Sequence, residues 1–262
     1  MYAIAIIPLI LRAVTDLKEN KAEAKAAGYA DDLFSGGKLE GLRKLWSFIE
    51  EYGPGYGYYQ QAEKTWIIVK EEYRNKAEKI FAGTGIKITN DGKKHLGAAI
   101  GSETFRNEYI NKKIDTWIQE LTLLSKIAAF APHEAYACFT SGYKHKLKFC
   151  MRTIPGISKD LKRLDEIVTT KLIPAITGGI QPNEDERKLF SLAPSLGGLG
   201  IHIFNEIADI EFKNSMNIST QLQNNITLQE PTNNINSNET KKRKTKSNRT
   251  KSNETTNYLK RL

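Results

Sequence analysis

Two adjacent carboxylates, Asp31 and Asp32, stand between Tyr29-Ala30 and the stop Leu33-Phe34-Ser35-Gly36-Gly37. Acidic residues side by side, next to a Gly-rich stop, suit the tip of a tight β-hairpin. Along a regular strand Tyr29 and Asp31 would share one face, and Ala30 and Asp32 the other. At a turn that alternation breaks down, and both carboxylates can approach one divalent cation. Like charges held that close cost free energy unless a metal or a shifted pKa relieves them. Mg²⁺ takes octahedral oxygen ligands, commonly one or two carboxylates plus substrate phosphates. A pair of such ions can clamp the attacking and leaving oxygens of a phosphoryl transfer. The competing reading is a solvated turn, where Asp bonds its own backbone and tolerates unusual dihedrals.

Downstream, Leu42, Leu45, Trp46 and Ile49 fall at helical spacing and predict a helix over Leu39–Tyr52. Gly53-Pro54-Gly55 ends it. Glu63-Lys64-Thr65 leads into Trp66-Ile67-Ile68-Val69, which reads as a buried strand. Gly85-Ile86-Lys87-Ile88-Thr89 alternates like a strand, Asn90-Asp91-Gly92 supplies turn chemistry, and His95-Leu96-Gly97-Ala98-Ala99-Ile100 reads as a hairpin. From Phe105 to Phe190 the pattern is mostly helical. Ile114, Trp117, Ile118, Leu121, Leu124 and Ile127 form one apolar face. A second helix starts at Pro132, and a third follows the break at Pro155 through Leu161, Leu164, Ile167, Val168 and Leu172. Lys144, His145, Lys146, Lys148 and Arg152 concentrate charge around one helix, with Tyr143 and Phe149 interleaved. That face can touch a nucleic-acid backbone through phosphate contacts, or it can simply be solvated.

Tyr29-Ala30-Asp31-Asp32 resembles the catalytic hairpin of reverse transcriptases, and the downstream segments resemble the rest of that enzyme in order. Glu63–Val69 is similar to the family's lysine-bearing segment. His95–Ile100 resembles its primer-grip hairpin. Leu192-Ala193-Pro194-Ser195-Leu196-Gly197-Gly198-Leu199-Gly200-Ile201 is similar to a segment near the end of the thumb in retrotransposon polymerases of the non-LTR type. The resemblance covers Met1 to Glu211. It implies RNA-directed DNA synthesis by two-metal nucleotidyl transfer, with Mg²⁺, or Mn²⁺ in its place, as cofactor. The implied partners are an RNA template, a DNA primer and deoxynucleoside triphosphates. Asp31 and Asp32 would ligate the metals, Lys64 would donate to the leaving pyrophosphate, and Tyr29 would pack near the primer terminus. His95, Leu96 and Gly97 would position the primer backbone, and Lys146 and Arg152 would contact primer–template.

The family takes a further metal aspartate from a palm strand upstream of the hairpin. Only 28 residues precede Tyr29 here, and their acidic members, Asp16, Glu19 and Glu23, lie in a Lys/Glu/Ala-rich run that reads as a solvated helix end or loop. Met1–Pro8 resembles the middle of a palm helix. The expectation is therefore a C-terminal portion whose fingers and first metal aspartate belong to a missing N-terminal region of the same longer protein, leaving the isolated chain inactive. The strand feeding the hairpin, Lys25-Ala26-Ala27-Gly28, buries little surface and has poor strand propensity, which predicts a weak hairpin. Without neighbouring strands, the sheet would also keep an exposed edge.

The net charge of +9 is unevenly spread: residues 231–262 carry nine Lys/Arg and two Glu, whereas the other 230 residues hold 30 basic and 28 acidic groups. The body is nearly neutral, so any grip on a polyanion comes from a local patch or from the tail. From Lys213 onward Asn, Thr, Ser and Lys dominate, a composition too polar to offset the entropy of ordering. Lys241–Lys246 is a basic cluster that suits nuclear import or a nucleic-acid arm, which fits a cytoplasmic or nuclear location. Cys138 and Cys150 imply no disulfide framework, and with His133 and His145 they match no zinc spacing. The apolar run Ala3–Leu11 is short of the ~20 residues a bilayer span needs. It predicts a buried helix kinked or broken at Pro8, and no membrane partner.

These features together predict an α+β chain. Residues 1–104 form a partial palm with the Tyr-Ala-Asp-Asp hairpin, a helix and the primer-grip-like hairpin. Residues 105–212 form a helical thumb-like bundle, and 213–262 a disordered basic tail. The alternative to a polymerase portion is a catalytically dead remnant, or a co-opted nucleic-acid-binding or interaction module.

Overall fold

The structure, a computed structural model, describes residues 6–29 and 32–229. The basic cluster Lys241–Lys246 lies outside the described residues. The described residues are mostly helical, with three two-stranded sheets, which is the α+β character expected. The described residues divide into two compact units, one from the segment up to Lys93 together with Thr220 onward, the other Lys94–Ser219.

The first unit opens with α1 (Ile7–Glu19). Pro8 lies in its first turn, where its missing N–H is one the helix leaves unbonded anyway and its fixed φ suits the helix. Pro8 thus stands at the start of this helix, and the part of the expected helix before Ile6 lies outside the described residues. Leu9, Ala13 and Leu17, spaced by four, form its buried stripe. An antiparallel hairpin follows, β1 (Ala24–Tyr29) with β2 (Asp32–Gly37), in the register Ala24↔Gly37 through Tyr29↔Asp32. Next comes α2 (Leu39–Tyr52), with the bounds its periodicity predicts. Leu9, Ala13, Leu17, Ala24, Ala26, Leu45, Phe48 and Ile49 make one core.

The small residues that read as a weakness of β1 have a packing role. A Cβ on Gly28 would stand 2.6 Å from Ile10 Cδ1, and one on Gly41 would stand 2.9 Å from Ala24 Cβ. Helices and hairpin approach so closely that side chains on these positions would push them apart. The outer edge of β1 is not bare: the Ala26 N–H donates to Gln229 Oε1 at 2.9 Å.

Two short parallel strands complete this unit, β3 (Trp66–Ile68) and β4 (Lys87–Thr89), with α3 (Arg74–Ile80) between them in sequence. Ile67 and Ile88 pack on Leu39, Ala77 and Phe81. β3 is three residues long and half-exposed rather than the buried strand expected, because only that one face is covered.

The second unit takes in most of the hairpin formed by β5 (Gly92–His95) and β6 (Ala98–Gly101), which the sequence groups with the palm-like part. Ser102 then caps α4 (Glu103–Ala128), accepting from the Phe105 N–H. Pro132 begins α5 (Pro132–Cys138), which runs through a π turn at Phe139–Tyr143 into α6 (Lys144–Thr153). After Pro155 come α7 (Ser158–Ile167), a second π turn at Val168–Leu172, and α8 (Ile173–Thr177). Ile110, Ile114, Trp117, Leu121, Phe139, Leu147, Leu161, Leu164, Val168, Leu172 and Phe204 join in one core. Each fully buried Leu, Ile, Val or Phe contributes about 1.5–3 kcal/mol. Ile127, read as part of the apolar face of α4, is exposed instead.

A buried polar lock closes this core. α9 (Glu184–Ser191) carries Arg187, and α10 (Phe204–Leu228) begins after the Gly-rich segment Leu192–Ile201. Arg187 donates to Thr169 Oγ1, to the Ile201 carbonyl and to the His202 carbonyl at 2.7–2.9 Å. Asp165 accepts from the backbone N–H groups of Phe204 and Asn205 at 2.8 Å, capping α10 from within the core. Tyr136 donates to the Leu199 carbonyl. Gly198 is buried, and a Cβ there would meet the Leu192 carbonyl oxygen at 2.3 Å. α10 continues well past Lys213, where the sequence predicts the tail to begin; Ile218, Leu222 and Ile226 supply a four-residue repeat inside the Asn-rich stretch.

Burial raises the Asp165 carboxyl to about 6, against the pull of the two amide donors and Arg187. The folded chain then holds this proton more tightly than the unfolded chain, whose carboxyl has its ordinary value of 3.8. The stability contributed by Asp165 therefore falls as pH rises from about 4 to about 6 and is level above that. Urea unfolding across this range is expected to show that slope in the parent, with Asp165→Asn removing it.

Candidate functional site

Asp32 is the first residue of β2 and is exposed, directly opposite Tyr29, which is 64% exposed. This end of the hairpin is uncovered, while Ala24 and Ala26 are buried toward the core. Asp31 lies outside the described residues. Asp32 makes no ion pair among the described residues, and its carboxylate is of the donor type that hard cations take. Among the described residues, no group of three or more His, Cys, Asp or Glu converges as a metal site.

Lys64 ends a short 3₁₀ turn, Ala62–Lys64, just before β3, and its side chain is exposed.

His95, Leu96 and Gly97 fall together at the β5–β6 turn. Leu96 has φ 47° and Gly97 φ 84°. Two successive positive φ values match the twist of a two-residue hairpin loop. Gly accepts this freely, whereas Leu adopts it at a cost. Leu96 is nonetheless 47% exposed. The turn is fixed from behind: Tyr109 donates to the Gly97 carbonyl at 2.8 Å, and a Cβ on Gly97 would lie 3.2 Å from the Phe149 ring. The turn and the basic helix α6 are thus neighbours, a juxtaposition invisible in sequence because Gly97 and Phe149 lie 52 positions apart.

Lys146 and Arg152, expected to face primer–template, already have carboxylate partners. Lys146 Nζ lies 3.1 Å from Glu120, and Arg152 Nε 3.0 Å from Glu211, which Lys148 also approaches at 3.4 Å. Glu211 is buried. Local charge counting around α6 misses these partners, because they come from α4 and α10. The surface pair at Lys146 is worth at most about 1 kcal/mol. The cations around Glu211 carry more, since removing them strands a buried charge.

Cys150 is buried, which pushes its thiol up, and Cys138 is exposed; both are free thiols. Among the described residues, no helix is long and apolar enough to cross a membrane.

Comparison of the chain with protein families, with curated proteins and with solved structures gives no match.

Replacing both Lys148 and Arg152 by Ala is expected to cost about 1–3 kcal/mol, below a fully buried pair because both cations are partly exposed. Adding Glu211→Gln in that background should restore part of the loss in urea unfolding. Lys146→Ala alone should stay within about 0.5 kcal/mol of the parent.

Proposed function

We propose that this chain carries the C-terminal palm and thumb of a retroelement reverse transcriptase of the non-LTR type, acting in RNA-directed DNA synthesis. One observation carries the reading beyond the motif. The first unit contains a helix–hairpin–helix whose turn end pairs Tyr29 with Asp32, while the two helices pack on the buried side of the hairpin. An exposed carboxylate beside a hairpin turn suits metal-dependent phosphoryl transfer, because that chemistry rests on positioning and charge stabilisation.

In this reading Asp31 and Asp32 would hold Mg²⁺ through carboxylate oxygens, together with a carboxylate from elsewhere in the polymerase. The bound ion supplies charge neutralisation at the reacting phosphate. Lys64 holds a proton toward the leaving pyrophosphate. Tyr29 flanks the primer terminus. The turn His95–Gly97, braced by Tyr109 and Phe149, orients the primer backbone, and the exposed, strained Leu96 is its foremost contact. Lys146 and Arg152 leave the contact set, because Glu120 and Glu211 engage them.

The test is primer extension on an RNA template with Mg²⁺, using the polypeptide read from the native transcript through this chain. Asp31→Asn and Asp32→Asn should each lower extension by at least about 100-fold, the scale of losing one preorganised transition-state contact. Binding to primer–template should stay near the parent value. Normal extension by either variant removes that residue from the metal site, and no extension by the parent polypeptide removes the reading.

A further inference from the structure

Trp66 and Lys87 are register partners across β3 and β4, so their side chains share the face opposite to the one that Ile67 and Ile88 bury. Lys87 Nζ stands 5.5 Å from the centroid of the Trp66 ring, and Lys93 Nζ, from β5, stands over the same ring at 3.9 Å. Lys38, Lys76, Lys146 and Lys188 each meet a glutamate. Lys87 and Lys93 make no ion pair among the described residues. The ring holds them instead.

The difference is chemical. A carboxylate orders a lysine by cancelling its charge. An indole face orders it through the ring quadrupole, for about 0.5–1 kcal/mol at an exposed site, and leaves the charge whole. On the same face, Ile68 is 36% exposed, and Thr89 follows Lys87 in the same alternation. This face thus offers two ordered, uncancelled ammonium groups around one aromatic ring.

We infer that the Trp66–Lys87–Lys93 face binds single-stranded nucleic acid, with the indole taking a base and the two lysines taking its flanking phosphates. A base on an aromatic side chain is worth about 1–3 kcal/mol and is indifferent to sequence. An entering base trades places with Lys93, whose ammonium moves from the ring to a phosphate. A duplex keeps its base faces stacked internally and can use the lysines only. The site lies outside the residues assigned to metal, leaving group and primer. It deepens the polymerase reading by giving the unpaired strand a contact, and its test needs no catalysis, so a failed binding experiment and a failed extension experiment are told apart.

The experiment uses the full chain and a labelled oligo(dT) strand of about 16 nucleotides, the upper end of single-module site sizes, titrated by fluorescence anisotropy at several salt concentrations. Lys87→Glu with Lys93→Glu should weaken binding at least about tenfold and lower the salt slope by about two, one per lost phosphate contact. Trp66→Leu should weaken it several-fold with the slope unchanged, and Trp66→Phe should recover most of that loss. The charge-matched reversal Lys126→Glu with Lys171→Glu, at exposed helical positions, should change affinity less than about threefold. Equal losses from the two double variants would mean diffuse attraction to a basic chain and would overturn the site. Parent-like binding by the Lys87/Lys93 variant, or a duplex of the same length binding as tightly as the single strand, would overturn it too.

Discussion

Asp165 is a carboxylate kept inside an apolar core to begin a helix. Its two oxygens take the first amides of α10, whose donors would otherwise be unsatisfied in the protein interior. Arg187, itself buried, ties the preceding segment through the Ile201 and His202 carbonyls. With its origin fixed this way, α10 presents Glu211, two helical turns on, to Lys148 and Arg152 of α6. The hairpin turn that leans on Phe149 inherits its position from the same helix. An apolar residue at 165 would keep the volume and lose the register. The Gly-rich segment has little choice of path either, because Gly198 lies against the Leu192 carbonyl with no room for a side chain.

Long periodic elements are legible from the chain itself. α2 runs over Leu39–Tyr52, Pro132 opens α5, and Pro155 ends the run through α6, because apolar spacing and proline act locally. Polar partnerships are not legible. Glu120, Glu211, Asp165 and Arg187 look like ordinary surface charges in sequence, and their partners are remote. β1 is misleading for a related reason: strand propensity rates alanine and glycine poorly, whereas this hairpin needs them to let Ile10 and Gly41 come near. Pro8 shows that position outweighs type, since the same residue that breaks a helix inside opens one at its first turn.

The proposed site is legible in part. Tyr29 before an acidic pair and a lysine before a strand are local patterns, and Tyr29, Asp32 and Lys64 all end up exposed at element ends. The lysines on α6 stand out by density, yet glutamates answer much of their charge. Lys87 and Lys93 carry no such signal because five residues and a strand boundary separate them, and only the fold brings both to one ring. Charge density in a sequence says how many cations there are; the packing says which of them remain uncompensated.

The amide of Ala26 bears on how this hairpin meets other chains. Its single acceptor is the side chain of Gln229, on a residue that also takes a bond from Lys18 through its carbonyl. A glutamine stopper satisfies one rung and offers nothing to propagate, so the edge is closed to chance partners without being sealed. At this rung the edge of the hairpin is closed by a side chain rather than by a backbone.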